Sequence, residues 1–306
     1  MKVIAITGAT GFVGSRLQDS LREDGCTPVP VVRSTPADGE MGWSIDEGSI
    51  DREALARCDA VVHLAGEPLV AIRWTEEKKR RILESRRDGT RLIASAMASI
   101  DDGPRVLVCA SGVDYYGDRG DEIVDESSDP GTGFLSEVVQ IWERSADPAR
   151  EAGIRVVHTR FGLILDARGG VLAKMLPAFK MGVGGPIASG TQWFPWIAID
   201  DAVRAIRFCL DRSEIRGPVN VVAPNAVTNG QFTEALGRAL HRPTALKLPS
   251  FAVKLAMGEM GAETLLTGQR VHPQRFLDAG FVWHYPDLDS ALAHLLGHAT
   301  EDPHET

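Results

Sequence analysis

Four cysteines in 306 residues, Cys26, Cys58, Cys109 and Cys209, form no Cys-x-x-Cys pair. Thiols this sparse and scattered argue against a disulfide scaffold, and fit reduced, mostly buried side chains. Basic charge is also short: 33 Lys and Arg against 42 Asp and Glu give a net charge of −9, with a pI near 5.4. No basic stripe interleaved with aromatics occurs, which argues against nucleic acid or an anionic membrane as the main partner. No apolar run is long enough to span a bilayer, and a strand starting at residue 2 leaves no room for a signal peptide; a cytoplasmic protein, monomer or homodimer, is expected. Tyrosine is rare, at Tyr115, Tyr116 and Tyr285 alone, and the segment between Gly117 and Gly170 has neither Tyr nor Lys. There is no internal repeat or low-complexity segment, and residues 299–306 read as a frayed tail.

What is present alternates. The apolar runs "VIAI", "TPVPVVR", "DAVVHLAG", "RVLVCAS", "IRVVHTRFG" and "GPVNVVAP" read as strands, with a short extra strand near Trp43. Between them lie amphipathic stretches: one opening near Phe12, a charged helix from about Thr75, others over residues 138–149 and 171–181, and one that Asp200 or Asp201 could cap. This order predicts an α/β, doubly wound parallel sheet of the Rossmann type, with ligand chemistry at the carboxyl ends of its strands. The dinucleotide-binding part is expected over 1–165 and 197–223, with a smaller substrate-side part over 166–196 and 224–298.

The first strand runs directly into "TGATGFVGSR", where Gly8, Gly11 and Gly14 stand three apart around Thr10, Phe12 and Val13. Glycines let the backbone turn tightly and approach a ligand closely, and a helix N-terminus favours a pyrophosphate. A turn packed for its own sake is the alternative; the strand before and helix after favour the nucleotide site. Nineteen residues past Gly14 stands Arg33, followed by Ser34, where an acid would select NAD. An arginine there accommodates the extra phosphate of NADP, so NADP(H) is the expected cofactor. In the charged helix, Ile82, Arg86, Gly89, Ile93 and Met97 share one stripe. An arginine in an apolar stripe needs an anionic partner, either a cofactor phosphate or an internal salt bridge.

"TGATGFVG", "HLAGEPL", "ESRRDGT", "DYYGD", "RFGLIL", "KMLPAFKMGVGGPI", "PWIAIDDAV" and "GQRVHPQRFLDAGF" together resemble the epimerase-like subfamily of extended short-chain dehydrogenases/reductases, in the NAD(P)-dependent epimerase/dehydratase branch. The resemblance implies a C-terminal domain closing over a small-molecule substrate, and cofactor contacts at the glycines, Arg33, Leu64 and Ala65 beside Gly66, and around Arg86. It also implies a Tyr-x-x-x-Lys pair, whose lysine lowers the tyrosine pKa. Here that helix reads "GFLSEVVQIWERS", and aligning Glu143 with the glutamate that follows the lysine leaves Leu135 and Val139 in the two places.

Other strand-end residues must then carry any chemistry. Glu67 is one candidate, or merely an exposed acid near a turn. Tyr115 and Tyr116, beside Asp114, could donate a hydrogen bond to a carbonyl, or pack. Arg160 could supply positive charge, or form a salt bridge beneath the cofactor. Trp193 and Trp196 could line a pocket at the domain junction, while His294 and His298, four apart without a third ligand, fit a surface helix better than a metal. An NADP-dependent oxidoreductase or epimerase-like enzyme leads, ahead of an NADPH sensor without turnover and a purely structural protein.

Overall fold

The computed structural model describes residues 2–69 and 73–297. The first half runs β1 (Val3–Thr7), α1 (Phe12–Glu23), β2 (Thr27–Val32), β3 (Met41–Ser44), β4 (Ser49–Ile50), α2 (Arg52–Ala56), β5 (Ala60–His63), α3 (Glu76–Ala98) and β6 (Val106–Gly112). A 3-10 turn, Val113–Tyr116, follows, then β7 (Ile123–Val124), α4 (Phe134–Arg144), α5 (Asp147–Glu151), β8 (Arg155–Phe161), β9 (Leu163–Asp166) and α6 (Gly170–Lys180). The chain continues through β10 (Trp193–Phe194), β11 (Trp196–Ala198), α7 (Ile199–Asp211), β12 (Gly217–Val221), β13 (Val227–Thr228) and α8 (Asn229–Leu240). It closes with α9 (Ser250–Leu265), β14 (Arg270–Val271), α10 (Gln274–Asp278) and α11 (Leu288–Leu295).

Eight strands form the main sheet in the order β12-β8-β6-β5-β1-β2-β3-β4, parallel except for the β3–β4 pair. The order reverses between β1 and β5, so their carboxyl ends border the crevice where a doubly wound sheet takes its ligand. α1 and α7 cover one face over Ile4, Ile6, Val62 and Val108, and α3 and α5 cover the other over Ala5, Val61, Leu107 and Cys109. Burial on both faces is why these strands read as continuous apolar runs. β2 tolerates two prolines because of its pairing. Thr27 N–H points to Lys2 in the direction of β1, so positions 28 and 30 face the other way, where β3 joins only from Val31.

Two boundaries differ from expectation. The helix expected over 138–149 starts earlier, at Phe134, and breaks after Arg144 into α4 and α5. Neither Asp200 nor Asp201 caps α7, which begins at Ile199 after Ala198 with no side-chain cap. Both aspartates sit in its first turn, where the helix dipole favours them. Asp200 pairs with Arg16 and His294, while the fully buried Asp201 accepts the backbone N–H groups of His284 and Tyr285, both at 2.8 Å. Asp201 thereby ties the last stretch of chain to the sheet. A separate apolar cluster around Leu172, Phe179, Trp196, Phe232 and Leu292 forms the C-terminal layer.

Among the described residues no helix is long and apolar enough to cross a membrane, and no group of three or more His, Cys, Asp or Glu could hold a metal ion. His294 stacks on Tyr285, and His298 and the expected tail lie outside the described residues. Asp201→Ala would leave two part-buried N–H groups and Arg204 without this partner, an expected loss of about 1–3 kcal/mol in urea unfolding. A change below about 0.5 kcal/mol would show that the tie is dispensable.

Candidate functional site

The glycine turn is held from beneath by one hydroxyl. Thr7 Oγ1 accepts the N–H groups of Leu64 and Ala65, each at 3.1 Å, and lies 2.7 Å from His63 Nδ1. With both acceptor positions filled, its own proton must go to Nδ1, which fixes His63 as the neutral Nε2–H tautomer. Burial, aided by Arg86, pushes the His63 pKa down to about 4, in keeping with that neutral form. Thr7 thus locks the end of β1 to the end of β5.

Above it the backbone is too close for side chains. Gly8 has φ +66°, and a Cβ there would lie 3.0 Å from Ala65 N; a Cβ on Gly14 would run into the Gly8 carbonyl oxygen. That oxygen already accepts Gly11 N–H at 2.9 Å. α1 follows with Gly11 as its N-cap, no side-chain cap and no acid in its first turn. Its positive end is therefore open to an anion. Val13 lies in that first turn, while Phe12 packs back against Gly169 and Gly170. Thr10 is exposed on the turn, and Arg33 and Ser34 are exposed immediately past β2. These residues fit a dinucleotide: a turn with no room for Cβ atoms, an open helix end and a cation at the ribose position.

Arg86 is buried beside this crevice. Its Nη1 donates to the carbonyls of Glu67 at 3.0 Å and Ile82 at 3.1 Å, and the guanidinium lies against Gly66 and over the Trp142 ring. Burial pulls its pKa down to about 10, with Asp114 and Glu67 acting the other way, so it stays charged at neutral pH. Its Nε and Nη2 make no hydrogen bond among the described residues.

The expected catalytic residues are placed less favourably. Glu67 pairs with Lys78 at 2.6 Å, and that hydrogen bond holds its carboxyl below the ordinary value. Such a carboxylate is a weak base. Tyr116 is fully buried; its hydroxyl donates to Asn220 at 2.7 Å and accepts from Arg160 at 3.0 Å. Burial raises its pKa to about 12 despite Arg160. Its one proton is committed, so of the two readings, donor or packed ring, Tyr116 takes the packed one. Tyr115 lays its ring over the Arg160 guanidinium, 3.4 Å from the ring centre, and borders a cavity of about 400 Å³ on the flank of the sheet, with Gln140, His158 and Pro218.

Arg160 takes the alternative reading, a buried ion pair: Nε and Nη2 each donate to Glu143 at 2.8 Å. Ser111 also donates to Glu143. In α4, Leu135 and Val139 are buried and Ser136 donates to the Tyr115 carbonyl, so this helix offers no acid or base where the resemblance would have a tyrosine and a lysine. Trp196 belongs to the C-terminal core, while the half-buried Trp193 donates to Asp121. A larger recess of about 660 Å³, beside the end of α8 at Arg238 and His241, contains none of these residues.

Residues 4–222 match the model of the NAD dependent epimerase/dehydratase family. The chain belongs to that family. Residues 248–295 of this epimerase-family chain match a second model, a domain of unknown function. An epimerase family protein of Mycobacterium bovis is 41% identical over 302 residues, 98% of each chain. The human epimerase family protein is 36% identical, over 96% of this chain and 99% of its own. A crystal structure of the human protein with NADPH superposes with a TM-score of 0.87 at 34% identity, covering 97% of this chain and all of that one.

The residue that sequence reasoning passed over is Asp114, half-buried in the turn after β6. Burial raises its pKa to about 6. The sequence shows only an acid beside two tyrosines; the elements that bury it come from distant parts of the chain.

The Glu143–Arg160 pair yields a stability test. Burial raises the Glu143 pKa, but Arg160 and its neighbours outweigh this and hold it below the ordinary 4.5. A depressed carboxyl contributes stability that is present above pH 4.5 and lost as pH falls through the folded-state value. Glu143→Leu, which strands a buried guanidinium, should cost about 3–5 kcal/mol, and adding Arg160→Met should recover most of it. Additive losses in urea unfolding would refute the coupling.

Proposed function

We propose that this chain is an NADP(H)-dependent oxidoreductase that reduces a carbonyl or activated alkene in a small molecule. The observation that carries the reading is an intact dinucleotide cradle beside an α4 without a strong base. Oxidising an alcohol requires a group that removes a hydroxyl proton near working pH, and Leu135 and Val139 cannot. Reduction requires only a proton donor. The NADPH in the human relative's crystal structure supports the choice of cofactor, as does Arg33 where an acid would favour NAD. When bound, the nicotinamide would supply or take up hydride. The chain would hold the pyrophosphate at Gly8, Gly11, Gly14 and the α1 N-terminus, the ribose phosphate at Arg33 and Ser34, and the remainder along Leu64, Ala65 and Gly66. The free donors of Arg86 suit a phosphate of the cofactor or an anionic group of the substrate. The substrate-side part is assigned to 166–196 and 224–298, and a reducing, cytoplasmic setting suits four free thiols.

An NADPH sensor without turnover is the competing reading, favoured by the same α4. Titration calorimetry followed by NADPH oxidation with a panel of ketones, aldehydes and enones separates the two: binding with steady oxidation supports the reductase, and binding without it supports the sensor.

Two variants test the cradle. NADPH should bind more tightly than NADH, and Arg33→Ala should remove most of that preference, about 1–3 kcal/mol. Equal affinities in the unaltered protein would refute the role of Arg33. Arg86→Met should weaken NADPH binding while leaving the apo protein folded, since methionine suits an apolar stripe. Unchanged affinity with a large fall in melting temperature would make Arg86 a structural residue.

A further inference from the structure

We propose that the Asp114 carboxyl group is the proton donor to the substrate oxygen, standing in from the end of β6 for the acid/base pair missing from α4. This rests on the reductase reading above. The turn Val113–Tyr116 brings Asp114 past the carboxyl end of β6, two strands from β1 across the order reversal. A Cβ built on Gly112 would lie 3.3 Å from Asp114 Oδ2 and 3.7 Å from Val139 Cγ2. The carboxyl therefore shares the space between β6 and α4 with Val139, the residue aligned with the missing lysine. Larger side chains at 112 or 139 would crowd it out.

Three of the rival groups at these strand ends are engaged, while the fourth, Tyr115, lays its ring over Arg160 and borders the cavity on the flank of the sheet. Tyr116 gives its proton to Asn220, Ser111 gives its proton to Glu143, and Glu67 is held ionised by Lys78. Asp114 is different. Its carboxyl makes no hydrogen bond to another described side chain, and the charges facing it are Arg86 from α3 and Glu263 from α9. Burial disfavours its ionised form most, a bond to its own backbone N–H and then Arg86 favour that form, and Glu263 disfavours it. A carboxyl so balanced is partly protonated near neutrality, the condition for a general acid.

The step balances with a reduced nicotinamide dinucleotide as reductant. Hydride adds to the carbonyl carbon, the Asp114 O–H bond breaks, and its proton joins the carbonyl oxygen. The products are an alcohol, the oxidised dinucleotide and an Asp114 carboxylate, which regains a proton from water.

Two measurements test this. In a carboxyl-carbon NMR titration of the apo protein, Asp114 should show a midpoint near 6. Arg86→Met should raise it and Glu263→Gln should lower it. With phenanthrenequinone as the probe carbonyl compound, the rate should be level below that midpoint and fall about tenfold per pH unit above it. Asp114→Asn should bind NADPH within about twofold of the unaltered protein, yet lose about a hundredfold in rate together with the pH dependence. Wild-type rate and profile in Asp114→Asn, or a midpoint near the ordinary aspartate value of about 3.9, would overturn the assignment while leaving the reductase reading intact. A protein that binds NADPH but reduces no quinone would overturn both.

Discussion

The buried pair between Arg160 and Glu143 is the interaction around which this half of the molecule is arranged. Glu143 anchors α4 to β8 and also receives the Ser111 hydroxyl from β6. Arg160 passes the connection to Tyr116, Tyr116 to Asn220 on β12, and Asn220 to Glu126 and the His272 carbonyl. Glu126 in turn accepts the Arg275 N–H at the start of α10. A single satisfied network therefore runs from α4 through three strands to the chain at β14 and α10. Removing one partner from such a network strands the others in a low-dielectric interior, which makes it cooperative. It also has a chemical consequence. The polar groups at the ends of β6 and β8 that could exchange protons are mostly consumed in holding the sheet together.

The crevice at the order reversal is built on the opposite principle. Thr7 satisfies two N–H groups and fixes His63 as neutral, and Gly8, Gly11 and Gly14 leave the backbone of the turn without Cβ atoms at those three positions. Arg33, Ser34 and the α1 N-terminus then project donors outwards with no internal partner required. The two regions meet at Arg86, whose guanidinium lies against Gly66 on one side and within the field of Asp114 on the other. The glycine turn's side of the crevice and Asp114 thus share one cation.

Much of this was legible from the sequence, for physical reasons. Strands covered on both faces must be apolar throughout, so "VIAI", "AVVH" and "VLVCAS" identified themselves, as did the glycine turn between β1 and α1. Arg86 stood out because helical periodicity alone places a charge in an apolar stripe. The failures share a cause. Asp200 and Asp201 look like helix caps by composition, but Asp201 serves a segment more than eighty residues away, at His284 and Tyr285. Tyr115 and Tyr116 look alike in sequence, and only the arrival of Asn220 and Arg160 separates their roles. α9 escaped notice because its first half leaves Phe251 and Leu255 exposed, giving no clean periodic stripe.

Asp114 shows why the C-terminal layer cannot be treated as an appendage to a nucleotide fold. After a kink at Gly258, where φ is +60°, α9 brings Met260 against Trp74, Ile82 and Leu135. Glu259 pairs with Lys79 there, and Glu263 accepts the first N–H groups of α4, from Phe134 and Leu135. A carboxylate at that position neutralises the positive end of α4, which would otherwise favour ionisation of any acid nearby. It also adds its own negative charge beside Asp114. Both effects hold a proton on Asp114 more firmly than the dinucleotide-binding half would by itself. Burial and the bond to its own backbone N–H set the proton affinity of this acid first, and Arg86 from α3 and Glu263 from α9 then adjust it in opposite directions.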